Sequence, residues 1–234
     1  MPRVHVMVRV PWGHTNASPF CEKVLVYAQL AQIELEEVRD LFPTAGPKGK
    51  YPWLEDGETK LGDSQAIVEH LQARHDDPLG DRALPEAVTR RCHLVRRVFE
   101  ESLYFALLAE RYQDPAVWQR FRKDLGAVVP AGLGRLATPL IRRDIRTIIR
   151  RQGYGRHSVE EIRRIAADDF AAVADALGDQ SFFAGETPHA IDAIAFGFLS
   201  NVFETPIPTP MGALAGAHDN LRAFYDRMRT RLSA

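Results

Sequence analysis

The sequence predicts an α/β domain followed by an all-α domain, and three observations carry that prediction. Residues 4–10, VHVMVRV, place valine at every second position, the period of a strand. From Lys48 to Leu71 the chain reads strand, turn, strand, turn, helix in one stretch, KGKYPWLEDGETKLGDSQAIVEHL. Beyond Leu84 almost every apolar pattern recurs at spacings of three and four, the helical period. At 234 residues the chain also exceeds one domain of roughly 100–150 residues. Two cores are therefore expected, over residues 1–75 and 85–234, joined by a polar, turn-rich linker at 76–84.

Taken in order, the first strand spans Val4 to Val10 and ends at Pro11-Trp12-Gly13. A polar loop, His14 to Ala17, leads to Ser18 as helix N-cap and Pro19 as first helical residue. The helix reaches about Gln32, with Phe20, Val24, Tyr27 and Ala31 as its buried stripe. Glu34 to Val38 forms the second strand. The aromatic run Tyr51 to Leu54 carries Pro52, and a strand proline sits at an edge, a bulge or a cis bond. Asp56-Gly57 supplies a hairpin turn. Lys60 to Gly62 returns, and Asp63 caps a helix that buries Ala66, Ile67 and Leu71. Strand, helix and strand before a proline-bearing hairpin and helix is the thioredoxin-like layout.

In the second domain Pro85 to Tyr112 reads as one long helix with Val88, Cys92, Val95, Phe99, Leu103 and Ala106 on one face. Asp114-Pro115 opens another. Leu133 to Arg151 is apolar on one side, with Arg135, Arg142, Arg146 and Arg150 as a basic stripe that is either solvated or anion-binding; Thr138 and Pro139 mark the start of its regular helix. Ser158 and Glu161 form a capping box for a helix to about Leu177, closed by Gly178. Pro188 begins a strongly apolar helix in which Asp192 is structural, its carboxylate returning to backbone N–H groups. Pro206, Pro208 and Pro210 mark an extended loop before a last helix, Asn220 to Leu232.

The hairpin–helix stretch offers recognition of a small zwitterion. Backbone N–H groups and the Ser64 hydroxyl at a helix start can hold a carboxylate, and Asp63 can hold an ammonium group. A cis Tyr51-Pro52 bond turns the Tyr51 backbone outward to pair with an extended peptide, so a γ-glutamyl peptide satisfies all three. Each residue also has a plainer role: Pro52 can end a strand, and Asp63 and Ser18 can be caps alone.

Composition excludes other classes. A formal net charge of −1 gives no pull towards nucleic acid or anionic membrane. Cys21 and Cys92 have no metal-ligand spacing. The segment MPRVHVMVRV has no apolar leader core, and no run approaches a membrane span. A cytoplasmic location is expected.

With SPFCEKV, PKGKYPWLEDG, DSQAIVEHL, GYGRHSVEEI, GETPHAIDAIAFGFL and NLRAFYDRM in view, nearly the whole chain resembles the glutathione transferase superfamily, and within it the branch of failed-axon-connections and metaxin-like proteins. The resemblance implies that Tyr51, before Pro52, pairs with the cysteinyl backbone of glutathione, that Asp63 and Ser64 hold its γ-glutamyl end, and that Lys50 or Lys48 meets its glycyl carboxylate. Ser18 takes the catalytic place, donating to the glutathione sulfur so that the thiolate attacks a small electrophile. Trp12, Asn16, Cys21 and Tyr104 are candidate lining residues, with Cys21 a reactive thiol or a buried inert one. The implied co-substrate is glutathione, with no metal and no prosthetic group, and the implied assembly is a homodimer through Pro85–Tyr112 and Leu133–Arg151. Ser18 stands where thiol-transferring branches have cysteine, and His189 where the family has a capping serine or threonine. The alternative is a non-catalytic binding or assembly protein on the same fold.

Overall fold

The computed structural model describes residues 1–7, 16–40, 43–127, 134–205 and 208–233. Its first domain is a four-stranded sheet in the order β2-β1-β3-β4 with helices against it. β1 (Arg3–Met7) runs parallel to β2 (Glu36–Asp40) and antiparallel to β3 (Trp53–Asp56), which pairs with β4 (Thr59–Gly62). Val4 and Val6 are fully buried, while His5 on the other face stacks on Trp53 at 3.6 Å between ring centroids. Residues 8–10, the rest of the expected first strand, lie outside the described residues.

Helix α1 (Pro19–Leu30) ends two residues before the expected Gln32, and β2 starts two residues after the expected Glu34. One local event explains both. Gln32 takes a left-handed conformation, φ 55°, and the Ile33 N–H closes back on the Ala28 carbonyl at 2.8 Å, a C-terminal closure that usually falls to glycine. The chain then turns, and the strand begins only where the Glu36 N–H meets the Pro2 carbonyl at 3.0 Å.

The expected stripe of α1 is incomplete: Phe20 is only partly buried, whereas Cys21, Glu22, Lys23, Val24, Val26, Tyr27 and Ala28 are buried. α1 is covered from two sides, because α8 (Ala190–Phe203) of the second domain packs along it. A Cβ at Gly197 would lie 2.8 Å from the Pro19 carbonyl oxygen and 3.3 Å from the Lys23 nitrogen, so only glycine permits this approach. α2 (Ser64–Arg74) buries Ser64, Ile67, Val68 and Leu71, with Ala66 only partly covered.

In the second domain the predicted long helix is continuous but not uniform. α3 (Glu86–Arg97) passes through a π-helical segment, Val98–Leu103, into α4 (Tyr104–Gln113). This wide turn puts the sequence neighbours Phe99 and Glu100 both inside. Asp114 Oδ1 caps α5 (Pro115–Ala127) by accepting from the N–H groups of Ala116 at 2.9 Å and Val117 at 3.3 Å. α6 (Gly134–Gln152) starts before Pro139 and runs through it, which corrects the placement of the helix start at Thr138-Pro139. Pro139 is exposed and lies within the first two turns of α6, so the helix forfeits one backbone hydrogen bond there and continues.

The capping box on α7 (Val159–Leu177) forms as expected, with the Glu161 N–H donating to Ser158 Oγ at 3.2 Å and Ser158 N–H to Glu161 at 2.7 Å. α8 begins at Ala190 rather than Pro188, and Asp192 accepts from the His189 and Phe183 N–H groups at 2.8 and 2.9 Å. Its structural role holds, with His189 in the capping position; burial pushes its carboxyl up to about 7. Of the expected extended loop, Pro206 lies outside the described residues, and Thr209 instead caps a short helix, α9 (Pro210–Gly216). α10 (Asp219–Leu232) closes the fold.

Candidate functional site

Strand register brings three separated segments to one end of the sheet. His5 pairs with Trp53, so the cis Tyr51-Pro52 bond preceding Trp53 lies beside the carboxyl end of β1. Trp53 also pairs with Gly62, which puts Asp63 beside Pro52. The loop entering α1 is tied to the same end, where the Asn16 amide donates to the Met7 carbonyl at 2.8 Å. Ser18, Tyr51-Pro52 and Asp63-Ser64 therefore share one edge.

At the start of α1, Ser18 Oγ accepts from the Cys21 N–H at 3.3 Å, while the Ser18 N–H donates to Asn16 Oδ1 at 3.0 Å. Pro19 has no N–H, so the half-buried Ser18 hydroxyl is the polar group this helix start presents. Behind it lies a buried polar lattice. Arg111 donates to the Ala17 carbonyl at 2.9 Å and to the Asn201 carbonyl and side-chain oxygens at 3.0 and 2.8 Å, and Asn201 donates to the Asn16 carbonyl at 2.9 Å. Burial pulls the Arg111 guanidinium down to about 10, still charged at neutral pH.

Two expected lining residues are corrected here. Asn16 is 0% exposed and spends its polar atoms holding the loop, so it shapes the helix start without facing a ligand. Cys21 is also 0% exposed, and burial pushes its thiol up to about 12, which leaves the inert reading and removes the reactive one. Trp12 lies outside the described residues. Tyr104 is partly exposed and packs edge-on against Phe20, centroids 4.8 Å apart, with Phe105 at 5.2 Å, so an aromatic shelf forms around Phe20, two residues beyond Ser18. Burial raises the Tyr104 phenol, which stays protonated.

Asp63 is exposed and caps α2, its Oδ1 accepting from the N–H groups of Gln65 at 2.9 Å and Ala66 at 3.2 Å. Both cap bonds go to this one carboxylate oxygen. Its φ of 101° lies in the region that favours glycine, a conformation that costs on the order of 1–3 kcal/mol in a residue with a side chain. Ser64 is buried at the first helical position. Lys50 and Lys48 are both exposed, and the stem of Lys48 lies beside Gly62, where an added Cβ would come 3.2 Å from Lys48 Cγ. Sequence reading missed Lys23, Glu100 and Arg111, buried charges whose partners are far away in the chain. Among the described residues no three His, Cys, Asp or Glu side chains converge as a metal site, and no helix is long and apolar enough to cross a membrane.

The glutathione S-transferase N-terminal domain family matches residues 19–117, and the glutathione S-transferase C-terminal domain family matches residues 166–228. The chain is 30% identical over 225 residues, 93% of this chain and 94% of the other, to an isoprene-epoxide--glutathione S-transferase of Rhodococcus sp. (strain AD45). It is 25% identical over 199 residues to Failed axon connections of Drosophila melanogaster, covering 80% of this chain but only 47% of that protein. In fold it is similar to a glutathione S-transferase of Methylobacterium radiotolerans solved with glutathione sulfonate, with TM-score 0.63 at 17% identity over 98% of this chain and 91% of that one.

Proposed function

Since the chain belongs to the glutathione transferase family, we propose that it binds glutathione at the shared sheet end and stabilises its thiolate for attack on a small electrophile. The observation that carries this reading is the convergence of Ser18, the cis Tyr51-Pro52 bond and the Asp63-Ser64 helix start on one edge. The second carboxylate oxygen of Asp63 takes the γ-glutamyl ammonium, and the N–H groups and hydroxyl at the start of α2 take its carboxylate. The Tyr51 backbone pairs with the cysteinyl peptide groups, and Lys48 or Lys50 meets the glycyl carboxylate. Ser18 Oγ keeps its own hydrogen while accepting from Cys21, and that hydrogen donates to the sulfur. Hydrogen bonding to the charged form, with the field of the α1 N-terminus, lowers the thiol pKa.

The sulfur lone pair then forms a C–S bond as the bond to the leaving group breaks, with Phe20 and Tyr104 supplying the apolar wall. An epoxide is the first electrophile to test, because the Rhodococcus relative is named for one. The thiol proton passes to water; on an epoxide, the ring oxygen keeps the C–O electron pair and takes a proton back from water, giving a hydroxy thioether.

A second reading is a non-catalytic binding or assembly protein on the same fold, since the relative Failed axon connections is not named as a transferase. Calorimetric titration of glutathione, followed by assays with a small alkene epoxide and with an aryl halide, separates the two. Binding with thioether formation is expected. Absence of binding at millimolar glutathione defeats the enzyme reading and leaves the binding protein.

Two copies are proposed to pair through α3 and α6. Leu94 on α3 is 66% exposed and Leu140 on α6 is 59% exposed, large apolar side chains on the two helices assigned to the interface. Light scattering is expected to read twice the chain mass for the wild type, and one chain mass for Leu94→Glu/Leu140→Glu. A monomeric wild type at micromolar concentration refutes the pairing.

A further inference from the structure

Lys23 lies on α1, five residues beyond Ser18, and is 1% exposed. Its ammonium donates to Gln65 Oε1 at 2.7 Å and to Glu100 Oε1 at 2.7 Å. The other Glu100 oxygen accepts from Arg96 Nη1 at 2.9 Å. Gln65 follows Ser64, and its backbone N–H is one of the two that donate to Asp63 Oδ1, at 2.9 Å. A chain of hydrogen bonds thus runs from Asp63 through Gln65 and Lys23 to Glu100 and Arg96, out of the first domain and into the π segment and α3 of the second.

A buried ion pair is a poor source of stability. Desolvation offsets much of the attraction, and an apolar pair of similar volume often does as well. Burial does pull the Lys23 pKa down, against the raising effect of Glu100. What the pair does supply is direction, because the Lys23 ammonium donates at once to Gln65 Oε1 and to Glu100 Oε1. Gln65 belongs to the first turn of α2, and Glu100 lies in the π segment, four residues before Tyr104. At 1% exposure the ammonium does not reach a ligand itself.

We propose that Lys23 is a positioning residue for glutathione: bridging Gln65 and Glu100, it holds the start of α2, and with it the Asp63 carboxylate and Ser64, in binding geometry against the second domain. This rests on Asp63 and Ser64 forming the γ-glutamyl site.

The test compares Lys23→Met, Lys23→Arg and the charge-free Lys23→Met/Glu100→Leu with wild type, reading the glutathione Kd by calorimetry, KM and kcat by turnover, and the urea midpoint. Losing a charge-assisted bond that orders the site is expected to raise Kd and KM for glutathione about tenfold, while kcat at saturating glutathione stays within about twofold. Lys23→Arg is expected to recover part of the affinity. The double variant is expected to match the wild-type urea midpoint and still bind glutathione weakly, and it carries the test if Lys23→Met does not fold. A folded double variant with wild-type Kd and KM overturns the proposal and leaves a structural ion pair only. Failure of the wild type itself to bind glutathione overturns the site reading, and this proposal with it.

Discussion

Ser18→Ala is expected to lower kcat/KM for glutathione conjugation at neutral pH by about 10²-fold, the usual scale for removing one donor aimed at a reacting anion. The loss has a pH signature. Without the hydroxyl the thiolate loses a hydrogen bond, so the bound thiol titrates higher, towards the ~8.5 of an unperturbed cysteine. The wild-type rate levels off above its lowered pKa, whereas the variant rate keeps rising with pH. The ratio between them is therefore largest in acid and shrinks as pH approaches about 9.

Ser18 is also an N-cap, accepting from the Cys21 N–H, and its loss to alanine costs about 1 kcal/mol of stability whatever its chemistry. Ser18→Gly separates the two roles, since glycine at an N-cap costs only a few tenths of a kcal/mol. Both variants are expected to lose the rate equally while only alanine lowers the melting temperature appreciably. A Ser18→Gly enzyme with wild-type rate and an unshifted pH profile would show that Ser18 is a cap and nothing more.

What could be read in the sequence is what neighbouring residues decide among themselves. Ser18-Pro19, Asp114-Pro115, Asp63 before its helix and Ser158 with Glu161 all cap as their local patterns demand. Thr209-Pro210 carries the same signal, but three prolines at alternate positions suggested extended chain there and hid it. Pro139 misled in the other direction, because an exposed proline near a helix start loses little.

Long-range packing set the rest. A stripe drawn on α1 alone assigns Phe20 to the core and leaves Lys23 outside. The opposite arrangement arises because Glu100 and Gln65, from distant segments, meet the Lys23 ammonium, while Phe20 turns to the aromatic shelf. Asn16 and Cys21 read as lining for the same reason: their neighbours in sequence are site residues, whereas Asn16 is held between Met7 and Asn201 and the Cys21 thiol lies against the Met7 backbone.

Asp63 permits a test in which chemistry and scaffold come apart. Asp63→Asn keeps an oxygen to accept from the Gln65 and Ala66 N–H groups, and asparagine tolerates positive φ better than most residues, so the cap at φ 101° survives and only the charge is lost. Removing one charge-assisted bond to the γ-glutamyl ammonium is expected to weaken glutathione binding by about 10–100-fold, at nearly unchanged melting temperature. Asp63→Ala loses the cap as well, and is expected to add roughly 1 kcal/mol of destabilisation to the same loss of affinity.

A glutathione analogue lacking the γ-glutamyl amino group completes the cycle. It should bind wild type about as weakly as Asp63→Asn binds glutathione, and it should not distinguish the two proteins, because the interaction removed by the mutation is already absent from the ligand. Calorimetry on the four combinations decides it. If Asp63→Asn binds glutathione as wild type does, or if the analogue still discriminates between the proteins, the carboxylate is a helix cap with strained backbone, and the ammonium is held elsewhere.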